Sequence, residues 1–413
     1  MSETATQVFE RLTGAKKVED VEARNGLRHA ISLTMTKLAD GLIDPKLVLS
    51  WLGGALGAPA ALVGLFVPIR EAGALVPQIV LAGRVEAMRH RKWAWVAGSA
   101  GQGVFAALIV LAALTLSGWA AGVAMACALA GLAVSRSLCS VSFKDILGKT
   151  IAKTRRGAVT GIAGSVSALA VLGFAVLLIF GPGQAIWPVL VAISVAAVLW
   201  LGAALVFARL EEAPSDPQRR KGIDLTPLRE DAQFRRFIAA RGALTVTALA
   251  PPYYVLLGGG QSALGALGAL MLASSAASFL SSYLWGRLAD HSSRRVLALS
   301  GVVAAVFMAL AVLADRFGWS DTPFVIPLLL FGLMLAYHGV RQGRSIYLVD
   351  MAPEHARSTY AALANTSIGL LLMMVGALGG LLAVLGPQSA LIGFAGLSLI
   401  GGWLAYGLKE VED

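Results

Sequence analysis

Twelve apolar runs, each near the ~20 residues that carry an α-helix across a bilayer, follow one another along this chain from Leu27 almost to its end. They span about 27–52, 59–83, 93–117, 119–143, 157–180, 186–208, 234–257, 263–286, 295–314, 323–347, 358–385 and 390–408. In hydrocarbon every backbone N–H and C=O must be satisfied internally, so each run is expected to be helical. The 413 residues are 57% hydrophobic and only 14% charged. Soluble domains carry about 25% charged residues, so a soluble enzyme and a disordered chain are both excluded.

The connections between the runs alternate in character. Gly53–Pro59, Ser117–Gly118, Gly181–Ala185, Gly258–Ser262 and Gly386–Ser389 are short and nearly uncharged. The opposite set carries Arg84, Arg89, Arg91 and Lys92, then Lys144, Lys149, Lys153, Arg155 and Arg156, and later Arg294, Arg295 and Arg357. Basic loops stay on the cytoplasmic side, so this set and both termini are expected there. The net charge of +10 follows from these loops, and no nucleic-acid partner is implied. The polar 1–26 segment has no apolar core of signal-peptide length, which leaves the first span to direct insertion. The expected location is a plasma membrane, the inner membrane of a bacterium, with lipids as the surrounding partner. Cys127 and Cys139 lie in apolar runs without His or Cys neighbours, so they read as packing residues.

The longest connection, 209–233, is rich in Pro and charge and falls at the midpoint. It divides the chain into a cytoplasmic segment 1–26, a six-helix bundle 27–208, a linker 209–233, a second bundle 234–408 and a tail 409–413. The halves repeat each other. GRVEAMRHRKWAW at 83 aligns with GRLADHSSRRVLA at 286, Arg136 with Arg341, and LRHAI at 27 with FRRFI at 234. Pro45 then falls opposite Pro252. Similar offsets in the same order point to a parallel duplication.

With twelve spans as six plus six and a basic central loop, the chain resembles the major facilitator superfamily of secondary transporters. The specific likeness is that family's loop signature between the second and third helices of each half. Gly286, Leu288, Ala289, Asp290, Arg294, Arg295 and Leu297 fit it in the second half; Gly83, Arg91 and Lys92 fit it in the first, where Ala87 stands at the Asp position. Arg136 resembles the family's fourth-helix arginine. The resemblance implies an all-α integral membrane fold of twelve helices and transport by alternating access. Gly83, Arg91, Lys92, Gly286, Asp290, Arg294 and Arg295 are expected to form a cytoplasmic latch: the glycine permits a close helix exit, the aspartate faces a helix N-terminus, and the arginines pair with acids or lipid headgroups. The fifth-helix antiporter signature is absent.

Ionisable groups inside the spans mark the candidate pathway, because each costs about 2.5–3.5 kcal/mol to insert at mid-membrane. Lys37, Asp40 and Asp44 recur at helical spacing on one face of the first span, and Arg70 and Glu71 lie halfway along the second. Three carboxylates against Arg70 and Lys37 leave one acid free to exchange a proton. Arg136, Arg241, His338 and Arg341 complete the candidate pathway. The basic residues favour a small organic anion as substrate, and the surplus acid favours protons as coupling ion. A drug or metabolite efflux pump and a non-transporting receptor on the same fold are the alternatives. No enzyme motif, metal cluster or cofactor site competes.

Overall fold

The computed structural model describes residues 5–14, 18–180, 185–216, 225–257, 264–289, 291–353 and 356–411. These are helical, with no strand among the described residues. A short helix α1 (Ala5–Thr13) precedes the first crossing, which comprises α2 (Asp20–Leu42) and α3 (Val48–Ala55) in series. The second comprises α4 (Ala60–Leu75) and α5 (Gln78–Glu86). Single helices follow: α6 (Lys92–Thr115), α7 (Gly118–Thr150), α8 (Arg156–Ile179) and α9 (Trp187–Ala208). After α10 (Thr226–Glu230), the seventh crossing is built from α11 (Ala232–Ala243), α12 (Val246–Leu249) and α13 (Pro251–Leu257). The last five are α14 (Leu264–Ala289), α15 (Ser293–Arg316), α16 (Val325–Met351), α17 (Arg357–Leu382) and α18 (Pro387–Tyr406).

Ten segments among the described residues are long and apolar enough to span a bilayer. The first and seventh crossings complete the twelve, and both are interrupted. Pro45 has no N–H to continue the ladder, so α2 stops at Leu42 and helix resumes at Val48. Polar side chains satisfy the groups this break frees: the Ser50 hydroxyl donates to the Pro45 carbonyl at 2.7 Å. The Asp44 carboxylate accepts the N–H groups of Lys46 and Leu47. In the seventh crossing Pro251 and Pro252 open a new segment, and the Thr245 and Thr247 hydroxyls donate to the Gly242 and Leu244 carbonyls. The two breaks occupy corresponding positions of the repeat, and irregular backbone at such depth persists where it lines a cavity.

The packing repeats as well. In each half the third crossing packs on the fourth and the sixth: α6 on α7 and α9, α15 on α16 and α18. Likewise α2 on α9 corresponds to α11 on α18, and α4 on α7 to α14 on α16. Small residues permit these contacts; a Cβ on Gly301 of α15 would stand 2.8 Å from the Ser398 carbonyl of α18. The helices overrun the apolar runs on the face that carries both termini. There α7 continues to Thr150 and α2 begins at Asp20, because hydropathy marks only the lipid-facing part of a helix. The polar 1–26 segment is therefore partly helical, with Phe9 of α1 buried over Gly26.

Between the halves, α4 packs on α17 and α8 on α14. The tightest approaches lie toward the face remote from the termini. Gly268 of α14 meets the backbone of Ala175 and Ile179, and Gly376 and Gly380 of α17 meet Pro68 and Ala61 of α4. Tyr253 is fully buried beside Gly64, Gly379 and Phe394. Toward the termini, Lys37 and Arg341 are exposed in the space between the halves. This conformation is sealed on the far face and open toward the termini.

Candidate substrate site

The interhelical space is lined by charge. Asp40 of α2 receives two guanidinium groups: Arg70 Nη2 of α4 donates to Oδ1 at 2.8 Å, and Arg136 Nη1 of α7 approaches Oδ2 at 3.1 Å. The three side chains are largely removed from solvent, so the carboxylate and its two cations hold three crossings of the first half together. Lys37, one turn before Asp40, does not join this contact. Its Nζ donates to the Thr160 carbonyl of α8 at 3.2 Å, within electrostatic reach of Arg136 and Arg341.

Asp44 and Glu71 face a residue that the sequence reading did not single out. Lys46, immediately after Pro45, lies close enough to both to feel their charge. Its Nζ donates to the Tyr337 hydroxyl of α16 at 2.9 Å and sits 4.1 Å from that ring's centroid. The expectation of a surplus carboxylate is thereby corrected. Arg136 and Lys46 enter the count, Asp40 is paired twice, and Asp44 is engaged by backbone N–H groups at the start of α3. Glu71 alone of the three makes no hydrogen bond or ion pair among the described residues. The signal for Lys46 was present in the sequence, as a lysine beside a proline inside an apolar run; the break that turns it toward α16 was not.

The second half contributes cations. Glu71 shares a cavity with Arg241 of α11, Tyr337, Arg341 and Arg344 of α16, and Asn365 of α17. Arg241 is 6% exposed; its Nη2 donates to Asn365 Oδ1 at 3.2 Å, and its Nε has no partner. Arg341 and Arg344, one turn apart on α16, have no hydrogen-bond or ion-pair partner among the described residues. His338 lies beside the Tyr337 ring, at 5.1 Å between centroids, within reach of Lys46 and Arg341. Arg344, like Lys46, was missed from the sequence, since its place near the end of a span reads as a loop charge.

The expected latch residues take partners within their own halves. Arg91 Nη1 pairs with Asp145 Oδ1 at 2.7 Å, and Lys149 with Oδ2 at 2.7 Å. Lys92 Nζ donates to the Ala208 and Leu210 carbonyls at the end of α9, at 3.0 and 2.7 Å. The buried Glu212 carboxylate accepts the Arg91 and Lys92 N–H groups at the start of α6, at 3.1 and 2.8 Å, where the helix dipole favours an anion. In the second half Arg294 Nη1 donates to the Tyr406 and Leu408 carbonyls, at 3.1 and 3.0 Å, and its Nε pairs with Glu410. Ala208, Leu210 and Glu212 thus match Tyr406, Leu408 and Glu410, a repeat unread in the sequence because its partners lie more than 100 residues away. Arg295 contributes its N–H to the Ser292 hydroxyl. Gly286 lies in α14 and Asp290 outside the described residues. A Cβ on Gly83 would meet nothing within 4 Å, so close helix contact is not what glycine serves there.

The crossings thus form a duplicated helical bundle around a charged cavity, closed on one face and open on the other. Residues 237–413 match the profile of the Major Facilitator Superfamily. The fold agrees over nearly the whole chain with solved structures at low identity. The D-xylose-proton symporter superposes with a TM-score of 0.71 at 11% identity, covering 94% of this chain and 98% of that one. The nucleoside transporter NupG gives 0.66 at 14%, covering 93% and 98%, and the POT family transporter PepTSo gives 0.67 at 10%, covering 92% and 97%. No curated protein matches the chain in sequence at a significant level. Over residues 237–413 the chain is thus similar to the Major Facilitator Superfamily, and over nearly its whole length it shares the fold of these solved structures.

Proposed function

We propose that this protein moves a small organic anion across the membrane by alternating access, coupled to protons. One observation carries the reading: Lys37, Lys46, Arg70, Arg136, Arg241, Arg341 and Arg344 converge on the space between the halves, against only Asp40, Asp44 and Glu71. A low-dielectric cavity with such a surplus of cations is stabilised by a bound anion. In the mechanism, residues 27–208 and 234–408 move as two bodies about this site. The far-face seal at Gly268, Gly376 and Tyr253 opens as the side carrying the termini closes. Both termini, by the basic loops, face the cytoplasm of a bacterial cell. The clasps at Arg91–Lys92 and Arg294–Arg295 keep each body rigid.

Glu71 is the coupling acid in this scheme. It lines the cavity opposite the arginines and makes no hydrogen bond or ion pair among the described residues. Proteoliposomes loaded at one pH and diluted into another test both parts. Labelled organic anions should accumulate along an imposed proton gradient. Glu71→Gln should lose accumulation but keep exchange of labelled for unlabelled anion, since exchange moves no net proton. Accumulation of neutral solutes with no response to anions would refute the anion reading. A gradient response unchanged in Glu71→Gln would refute the coupling role.

A further inference from the structure

The spans of the second half contain no acidic residue: none lies at 232–289, 293–314, 325–349 or 357–406. Arg241, Arg341 and Arg344 therefore have no carboxylate of their own half at membrane depth. The one carboxylate that shares their cavity is Glu71, on the opposite wall and also within reach of Lys46. Arg241 and Arg344 are close enough for their charges to repel each other. Arg241 is nine-tenths buried, and its buried Nε–H has no acceptor among the described residues, although such donors are ordinarily satisfied. Asn365 accepts from its Nη2 and holds the guanidinium in place. Guanidinium groups from two helices line one cavity, and each carries the planar fork that binds oxyanions bidentately.

The three guanidinium charges face at most one carboxylate in this cavity, a surplus of at least two positive charges that Lys46 raises further. We propose that the arginine wall receives an oxyanion head bearing two negative charges, a phosphate monoester or a dicarboxylate, and that this head defines the substrate class. The inference rests on the anion reading above and narrows it. Binding of the head relieves the Arg241–Arg344 repulsion; a singly charged carboxylate neutralises only part of the surplus.

The test is ligand-induced thermal stabilisation of the full-length protein in nanodiscs at pH 8. Inorganic phosphate and malonate serve as doubly charged probes, acetate and dimethyl phosphate as singly charged ones, and xylose as a neutral one. At least one doubly charged probe should half-saturate at a concentration tenfold or more below either singly charged probe, and whichever does so names the head. For phosphate, affinity should fall as pH drops and its second charge is lost. Arg344→Gln should erase the preference for double charge while leaving residual anion binding. Arg241→Gln should do the same, with Arg241→Lys restoring little because it lacks the fork. If singly and doubly charged probes bind alike and the arginine variants weaken both, the two-charge inference is overturned and the anion reading stands. If only xylose stabilises, or no probe does, both fall.

Discussion

Lys46 Nζ, in the break between α2 and α3, donates to the Tyr337 hydroxyl of α16 at 2.9 Å, so a cation of the first half is held by the second half across the candidate substrate site. A cross-half hydrogen bond of this kind exists only while the two walls are this close, and it therefore contributes to the preference for one conformation. A hydrogen bond to a charged group contributes about 1.5–3 kcal/mol.

Tyr337→Phe should consequently shift the conformational equilibrium by roughly tenfold or more. Transport should slow, and the site should become more accessible from the face remote from the termini. Alkylation of a cysteine introduced at Thr245, measured from each side of sealed vesicles, checks this. Unchanged labelling from both sides would show that the bond does not bias the equilibrium. Lys46→Ala should abolish transport outright, because it also removes the cation facing Asp44 and Glu71.

Asp40 holds two arginines, so its loss strands both. Removing one partner of a buried ion pair costs about 3–5 kcal/mol. Asp40→Ala should lower the unfolding temperature of the purified protein markedly, and Asp40→Asn, which keeps an acceptor for Arg70, should lower it less. A near-parental unfolding temperature for Asp40→Asn would mean that the carboxylate serves only packing.

Gly268 sets the closeness of α14 and α8. A Cβ there would stand 2.6 Å from the Ala175 carbonyl oxygen and 2.8 Å from the Ile179 nitrogen, both backbone atoms that cannot step aside. Gly268→Val should prevent the far-face seal, leave the protein folded with that face open, and cut turnover at least tenfold. The same cysteine labelling reads the outcome: reactivity should rise from the far face and fall from the other.

Glu211, outside the membrane spans, accepts hydrogen bonds from Arg24 and Arg28, and these hold its carboxyl below the ordinary glutamate range. Asn25 clamps its backbone from both sides, at 2.9 Å each way. A lowered carboxyl stabilises the fold above its ordinary pKa, and that stabilisation disappears as pH falls through the lowered value. Glu211→Gln should therefore be less thermostable than the parent at pH 7. The difference should shrink as pH falls below the ordinary glutamate range and vanish once it has passed the lowered value.

The repeat was legible through matched motifs. The identity of the pairs was not. Arg70 and Asp40 share a depth, which spacing along two antiparallel helices reveals, but Arg136 joins them only because α7 crosses α4 at that level. The charge count was incomplete for the same reason: counting charges within two helices omits those that other parts of the fold bring to them.

Apolar run length, loop charge and the internal duplication determined that this chain forms twelve membrane helices in two repeated halves, because hydrophobic transfer and backbone satisfaction in lipid depend on local sequence alone. The absence of acids from the spans of the second half is likewise written in the sequence. Only the tertiary structure decided that Lys46 faces Tyr337, that Arg241, Arg341 and Arg344 share one cavity with Glu71, and that Glu212 and Glu410 return to the third crossing of each half. Those contacts join residues over 100 positions apart, except within α16 itself, and they depend on how helices rotate and cross. Rotation and crossing are set by small-residue packing summed over many weak contacts, not by any one motif.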